Sequence, residues 1–346
     1  MATTCSIAGA GITFMRLLLH LSYMLHAVRS DLAIHHGDAM AAATGQFLKD
    51  DVPFGFSESC TMGKERVGYQ ISSNMLQERR LQLEPLTHNA SFDEEGVELF
   101  DLREALEAVG VTENTYDIKN PKHRQLVGRV LLDAASARFK KQAIHWVDTS
   151  RVSGGAVYGE ATVRETRNGS ALRNAHYSFH VDAYLPGIAK LWGGSGRRFG
   201  TEAYVDWVHW RHMDADSKRL GFSKEEALNA VNEGSPGIAQ FWISLTPGEL
   251  KQSPLAVIDK RTFNLEDPDL SYISTHPVVF PALNATISLV RDRAVDGARF
   301  LWKPKMRFGE ALLFSYLSTA HSAVRLEGDD LSGAWRSSAE MRILMV

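Results

Sequence analysis

The chain has 346 residues, of which 44% are hydrophobic and 23% are charged. This composition is that of a globular protein and excludes collagen, coiled coil and intrinsic disorder for the chain as a whole. The 38 basic and 41 acidic residues nearly balance, and neither sign forms a long run. The sequence therefore indicates no nucleic-acid or anionic-membrane partner. Only two cysteines, Cys5 and Cys60, are present, which favours a reducing, cytoplasmic location.

The most apolar stretch, residues 7–28, lies near the N-terminus. A membrane-spanning helix needs about 20 mostly apolar residues, and Arg16, His20 and His26 interrupt this one. An amphipathic or poorly ordered extension is therefore favoured over a membrane span or a secretion signal. We expect residues 1–65 to form an appendage and residues 66–346 to form the main domain. A chain shortened to begin near Cys60 should then remain active.

Strand patterns dominate the second half of the chain. Short β-rich or alternating runs predict strands over residues 156–164, 175–184, 240–245, 255–259, 285–291, 298–302, 310–316 and 340–346. Helical signals are fewer and come mostly earlier, which predicts a mainly β fold with flanking helices (α+β) and not alternating β–α units.

Three helices are predicted from their starting residues and periodicity. Asn120 followed by Pro121 is typical of a helix start, and apolar residues recur at helical spacing after it. Ser223 and Glu226 have the spacing of a capping box. A shorter helix is expected over residues 101–109.

A histidine stands two residues before an aspartate three times, so this pattern alone carries little information. The pairs are His36/Asp38, His180/Asp182 and His212/Asp214. Only His180 and Asp182 lie in a predicted strand, where residues two apart share a face. That pair is the favoured metal-ligand candidate. A core histidine hydrogen-bonded to Asp182 is an alternative of at least equal weight from this segment alone.

A second candidate group lies near the C-terminus. His321 follows a predicted strand, and Arg336 and Ser338 begin the last one. Two histidines and one carboxylate leave three positions open on an ion, as in non-haem iron(II) oxygenases. An arginine with a nearby hydroxyl can hold the far end of a dicarboxylate such as 2-oxoglutarate. Arg325 and Arg342 are rivals for that role, ranked lower because neither begins an R-x-S motif.

These motifs, with QSPLAVIDKRTF and the closing WRSSAEMRILMV, resemble the Fe(II)/2-oxoglutarate-dependent dioxygenases of the double-stranded β-helix (jelly-roll) fold. More narrowly, residues 67–346 resemble the hydroxylase/desaturase branch of secondary metabolism, with its gibberellin desaturase-like and cephalosporin methoxylation-associated members. The resemblance implies two sets of site residues. Fe(II) would be held by His180, Asp182 and His321, and 2-oxoglutarate by Arg336 and Ser338, with Gln240 as a weaker candidate.

The resemblance also implies a reaction. O₂ and 2-oxoglutarate would be consumed and succinate and CO₂ released, while an unactivated C–H bond of a secondary metabolite or amino acid is hydroxylated, desaturated or cyclised. Relatives carry an arginine where this chain has Ile243, which suggests a different anchor in the substrate pocket. Trp242 is a pocket wall or, more often for a strand tryptophan, core. Residues 193–200 and 246–252 are expected to shape the pocket.

Two other functions remain open at this point. The first is a non-redox metal enzyme on the same barrel, and the second is a ligand-binding barrel that has lost catalysis. Arg336 and Ser338 count against the first, because such an enzyme needs no dicarboxylate clamp. The intact triad counts against the second.

Overall fold

The structure is a computed structural model that describes residues 40–51, 76–145, 160–166, 178–182, 223–232, 237–263, 271–277, 284–328 and 336–346. Several sequence features lie outside these ranges: the apolar stretch 7–28, both cysteines, the His36/Asp38 and His212/Asp214 pairs, and residues 193–200. Within the described ranges, no helix combines the length and the apolar character that a membrane crossing requires.

The described residues are mostly β-structure, as the sequence predicted. The strands are β1 (Ala41–Leu48), β2 (Leu76–Pro85), β3 (Val97–Asp101), β4 (Ala143–His145), β5 (Thr162–Thr166), β6 (His180–Val181), β7 (Ile238–Ser244), β8 (Leu255–Ile258), β9 (Ser271–Pro277), β10 (Asn284–Val290), β11 (Phe300–Trp302), β12 (Glu310–Ser315), β13 (His321–Ala323), β14 (Arg325–Leu326) and β15 (Arg336–Met345). The helices are α1 (Arg103–Ala108), α2 (Pro121–Phe139) and α3 (Lys224–Asn232).

The strands form two sheets, in which many neighbouring strands are far apart in the sequence. The larger sheet has the order β14-β1-β2-β11-β8-β13-β6-β10-β9, and the smaller has the order β3-β12-β7-β15-β4, with β5 also paired to β15. Among the strand pairs within the described ranges, β11 with β2 is parallel and the others are antiparallel. The central position of β6 and β13 in the larger sheet brings residues 180 and 321 side by side, although 141 residues separate them in sequence.

Apolar side chains from both sheets meet in one cluster, and we call the space that they line the interior. The larger sheet contributes Leu255, Val257 and Leu301, and the smaller contributes Trp242, Leu312 and Phe314. Strand alternation sends the intervening residues to the outer faces. This alternation decides which side chains of each strand can reach a site between the sheets.

Helix α2 covers the outer face of the smaller sheet. Val127, Val130, Leu131 and Ala134 of the helix pack with Met341, Ile343 and other residues of the sheet. The predicted start is confirmed, because the side chain of Asn120 accepts a hydrogen bond from the backbone N–H of Lys122. The capping box of α3 is confirmed as well: the Glu226 carboxylate accepts from the Ser223 N–H, and the Ser223 hydroxyl accepts from the Glu226 N–H.

Strand β1 corrects part of the predicted domain division. It lies within residues 1–65, which the sequence suggested were an appendage, but it pairs along its whole length with β2 and also with β14. Phe47 is fully buried and stacks on Phe179 with ring centroids 4.9 Å apart. Because its apolar side chains complete the outer core of the larger sheet, β1 belongs to the main domain.

Candidate metal centre

Three side chains converge on one point in the interior. The ligand atoms of His180, Asp182 and His321 all lie within 4.8 Å of one another, and all three residues are buried. Nε2 of His180 is 3.8 Å from Asp182 Oδ1, and Nε2 of His321 is 3.6 Å from Asp182 Oδ2. Bonds of about 2.0–2.2 Å from N and O ligands to a divalent ion would fit between atoms at these separations after a small adjustment. These residues could therefore hold one metal ion.

Strand pairing explains the convergence. His180 of β6 lies directly opposite His321 of β13, and the two ring centroids are 4.5 Å apart. Phe179 and Val181 pack into the outer core of the larger sheet, so alternation turns His180 to the interior. The ring of Phe314, from the smaller sheet, contacts His321 at 4.7 Å between centroids.

Backbone carbonyls orient both imidazoles. Nδ1 of His180 is 2.7 Å from the carbonyl oxygen of Ser178, and Nδ1 of His321 is 3.0 Å from that of Thr319. A carbonyl oxygen can only accept, so Nδ1 carries the proton in both rings and the lone pair lies on Nε2. This is the tautomer that metal-binding histidines need, with the second nitrogen held by an outer partner.

Arg342 contacts the carboxylate of Asp182, one of the candidate metal ligands. Its Nη2 donates to Asp182 Oδ1 at 3.3 Å, and its Nε donates to the side-chain oxygen of Gln240 at 3.3 Å. The guanidinium also lies over the ring of Tyr316, 4.6 Å from the centroid. Arg342, Gln240 and Tyr316 are all buried, so the positive charge is fixed beside a negative one away from water.

Arg336 forms a second basic position on the same strand. Its Nε donates to the hydroxyl of Ser338 at 3.2 Å, and its Nη1 donates to the backbone carbonyl of Ser253 at 2.8 Å. Its guanidinium lies over the indole of Trp242, 5.0 Å from the ring. Arg336 is 3% exposed, and these three contacts help to fix its orientation.

Two polar atoms near Arg336 have no protein partner among the described residues. Ser244, which is paired with Ser338 across β7 and β15, has a buried hydroxyl without a hydrogen bond. The indole N–H of Trp242, the residue under the Arg336 guanidinium, is buried and unbonded as well. A buried unpaired donor costs about 1–3 kcal/mol, so these two atoms are candidates for contacts to a bound ligand.

His145 on β4 is a buried histidine outside the triad. It lies opposite Ile343 of β15 and is 4% exposed. Burial, and to a smaller extent the positive charge of Arg342, lower the pKa of His145 to about 3. The residue is therefore neutral at physiological pH.

The structure separates the three candidate arginines. Arg325 is half-exposed and bonded to Glu78 at the sheet edge, 2.9 Å away. Arg336 and Arg342 both face the interior, because the intervening residues Ala339 and Met341 pack towards α2. Arg342 therefore lies beside Asp182 of the candidate metal centre, a position that the sequence did not indicate because Arg342 begins no R-x-S motif.

Strand alternation corrects the expectation for Ile243. The side chain is fully buried in the cluster beneath α2, on the face of β7 away from the interior. Ile243 therefore does not line the described part of the interior. Gln240, Trp242 and Ser244 are the β7 residues on the other face; Ser244 was missed from sequence, although the alternation of β7 could have found it.

Comparisons with known proteins agree with this architecture. No protein-family model and no curated protein matches the chain. Among solved structures, the chain is similar to the "iron and alpha-ketoglutarate-dependent endoperoxidase NvfI W199F variant", with a TM-score of 0.54 and 12% identity over 89% of this chain and 98% of that one. A structure of the enzyme without that substitution gives 0.52 and 11% with the same coverage. At this identity the likeness shows the fold.

Proposed function

We propose that the protein is an Fe(II)- and 2-oxoglutarate-dependent oxygenase with a double-stranded β-helix core. It would hydroxylate, desaturate or cyclise a small molecule at an unactivated C–H bond. The observation that carries the proposal is the presence, in one interior, of a two-histidine, one-carboxylate cluster and a buried arginine beside unpaired polar groups. The solved structures with a similar fold bear a title naming iron and alpha-ketoglutarate, which supports this choice.

The donor set suits ferrous iron. Two imidazole nitrogens and one carboxylate oxygen are the ligands of the facial triad in non-haem iron(II) enzymes, which keeps positions open. His180, Asp182 and His321 would hold the ion, and bound iron would supply O₂ activation coupled to decarboxylation of 2-oxoglutarate to succinate and CO₂. The backbone carbonyls of Ser178 and Thr319 would keep both rings aimed at it.

Arg336 and Ser338 would bind the distal carboxylate of 2-oxoglutarate. Arg336 is buried and held by Ser338 and Ser253, and a buried guanidinium is the group best suited to pair with a carboxylate. Ser338 and Ser244 are paired across β15 and β7, so their side chains share one face of the sheet and are both candidates for ligand contacts. A cosubstrate contact to Gln240 stays a prediction, since its side-chain oxygen accepts from Arg342.

The apolar interior would protect the reaction from water. Leu255, Val257, Leu312 and Phe314 line the space between the sheets and are at most 5% exposed. Water exclusion strengthens the ionic contacts of the clamp and limits uncoupled turnover. The chain's own contribution is therefore to fix ligand geometry, hold the dicarboxylate and keep the site dry.

The decisive experiment is an anaerobic titration of Fe(II)-loaded protein with 2-oxoglutarate, followed by its absorption band. The band should appear, and succinate release should identify substrates in a metabolite screen read by mass spectrometry. His180→Ala should abolish both signals. His212→Ala, from another H-x-D pair, is the matched control and should keep most of them.

Each outcome distinguishes the alternatives. If wild type binds iron and shows no 2-oxoglutarate band, the oxygenase assignment fails and a non-redox metal enzyme takes its place. A band without succinate release on any substrate tested indicates a ligand-binding barrel. Equal losses in His180→Ala and His212→Ala would overturn the choice of ligands.

A further inference from the structure

The number of atoms that Asp182 gives to the ion decides how many positions remain. A six-coordinate ion that takes one atom from each of His180, Asp182 and His321 keeps three positions. A chelating keto acid fills two and O₂ needs the last. If both oxygens of Asp182 bound the ion, one of these positions would be lost.

The geometry of the two histidines does not by itself prevent this. One oxygen of Asp182 is 3.8 Å from Nε2 of His180 and the other is 3.6 Å from Nε2 of His321. Both oxygens therefore face the ligand cluster at similar distances, and carboxylates bind metals through either one oxygen or two. Another contact has to distinguish them.

Arg342 distinguishes the two oxygens. Its Nη2 is 3.3 Å from Asp182 Oδ1, which is the oxygen of this carboxylate that the guanidinium approaches most closely. The guanidinium is fixed on two further sides, by the side-chain oxygen of Gln240 on Nε and by the ring of Tyr316. Because all of these groups are buried, Arg342 cannot move away without breaking several contacts in a low-dielectric interior.

We infer that Arg342 is a positioning residue that holds Oδ1 of Asp182 and leaves Oδ2 to the metal. The carboxylate then counts as one ligand, and the positions for cosubstrate and O₂ stay open. This inference rests on the proposed function, since only a chelating cosubstrate plus O₂ needs three positions. Gln240 supports this role indirectly, because its side-chain oxygen accepts a hydrogen bond from Nε of Arg342.

The test uses the full-length protein loaded with Co(II), whose visible spectrum reports coordination number. Arg342→Met keeps a long apolar side chain over Tyr316 but removes every donor. With 2-oxoglutarate present, we expect its Co(II) spectrum to differ from that of wild type, because the second oxygen of Asp182 would occupy a position that wild type leaves to other ligands. Its 2-oxoglutarate affinity should fall by about tenfold or more, and calorimetry should show that its Co(II) affinity has not fallen.

Two comparison variants make the result specific. Arg342→Lys keeps the charge that balances buried Asp182, and with its single donor group it should give an intermediate spectrum and affinity. If Arg342→Met does not fold, Arg342→Lys still tests the inference. Arg336→Ala should weaken 2-oxoglutarate binding while leaving the Co(II) spectrum unchanged, because Arg336 does not contact Asp182 in the structure.

The inference is overturned if Arg342→Met has the wild-type spectrum and 2-oxoglutarate affinity, or if it loses Co(II) binding altogether. The first result would make Arg342 dispensable, and the second would make it a requirement for the ligand set itself. Failure of the wild type to bind Co(II) and 2-oxoglutarate would instead contradict the proposed function. The two failures are therefore distinguishable.

Discussion

The backbone carbonyl of Ser253 accepts a 2.8 Å hydrogen bond from Nη1 of Arg336, although 83 residues separate the two in sequence. Ser253 has a φ of 53°, in the left-handed region that costs a non-glycine residue about 1 kcal/mol or more. The residue is 4% exposed. The loop between β7 and β8 thus adopts a strained conformation at the group that orients the candidate clamp.

Replacing Ser253 should separate backbone conformation from side-chain chemistry. Ser253→Val should disfavour the left-handed conformation, turn the carbonyl away from Arg336 and weaken 2-oxoglutarate binding by about tenfold, the loss of one charge-assisted hydrogen bond. Ser253→Gly adopts the same φ readily and should bind like wild type. Anaerobic titration measures both. Wild-type binding by the valine variant would show that the carbonyl is not needed.

The charge of Arg336 should contribute more to 2-oxoglutarate binding than the hydroxyls of Ser338 and Ser244. Arg336→Ala removes a contact worth about 1.5–3 kcal/mol, so 2-oxoglutarate binding should weaken by ten- to several-hundredfold. Ser338→Ala and Ser244→Ala should each cost about tenfold or less, as neutral hydrogen bonds do. The same titration with Fe(II) present checks this.

Arg325→Ala is the matched control for the clamp, because Arg325 is half-exposed and bonded to Glu78. It should titrate like wild type. If Arg342→Ala rather than Arg336→Ala removes the binding while iron remains bound, the clamp belongs to Arg342, and the roles assigned to the two arginines are exchanged.

His145 should make stability depend on pH. Its pKa is lowered from an ordinary 6.5 to about 3, so between these values the unfolded chain binds a proton that the folded chain does not. Above pH 6.5 His145 leaves the free energy of unfolding unchanged, and as pH falls from 6.5 towards 3 it lowers that free energy progressively. From pH 7 to pH 5 this residue alone should cost about 2 kcal/mol.

The measurement for His145 is urea unfolding at pH 7 and pH 5. His145→Gln cannot titrate, so its unfolding free energy should fall less over this range than that of wild type. Equal falls in the two proteins would mean that His145 is protonated in the folded state, and that its burial does not exclude the charge.

Patterns with strong local signals predicted structure well. The Asn120–Pro121 start located α2, and the apolar alternation of residues 240–245 and 310–316 located β7 and β12. His180 and His321 were selected from local strand patterns, and the structure brings them into one pair. What sequence could not supply was the pairing itself, because contacts across 141 residues depend on the whole sheet order.

Polar strands were harder to predict. β2 has the sequence LQERRLQLEP and β1 has AAATGQFL, and neither alternates clearly. The two strands pair with each other, and Arg80 of β2 also forms an ion pair with Glu327, which lies far away in the sequence. The importance of Arg342 was hidden for a similar reason: its partner Asp182 lies 160 residues away, so no local motif marks it.

The last prediction concerns β1, which the sequence assigned to a dispensable appendage. Phe47 is fully buried, stacked on Phe179 and in edge contact with Phe300 at 6.1 Å between centroids. Phe179 precedes the metal-ligand candidate His180, and its backbone N–H donates to the carbonyl of Gln46 on β1 at 2.9 Å. Strand β1 therefore supports the short strand that carries the candidate ligand His180.

A chain shortened to begin at Cys60 should lose this support and fail to give stable, metal-binding protein, contrary to the expectation from sequence. A chain beginning at Ala39 keeps β1 and is the control. Phe47→Ala in the full chain should cost about 3–5 kcal/mol by opening a cavity in the outer core, measured by urea unfolding. Val181 belongs to the same apolar cluster as Phe47, so it would lose packing as well. If the chain beginning at Cys60 folds and binds Co(II) as tightly as the longer one, then β1 covers the sheet without supporting the site.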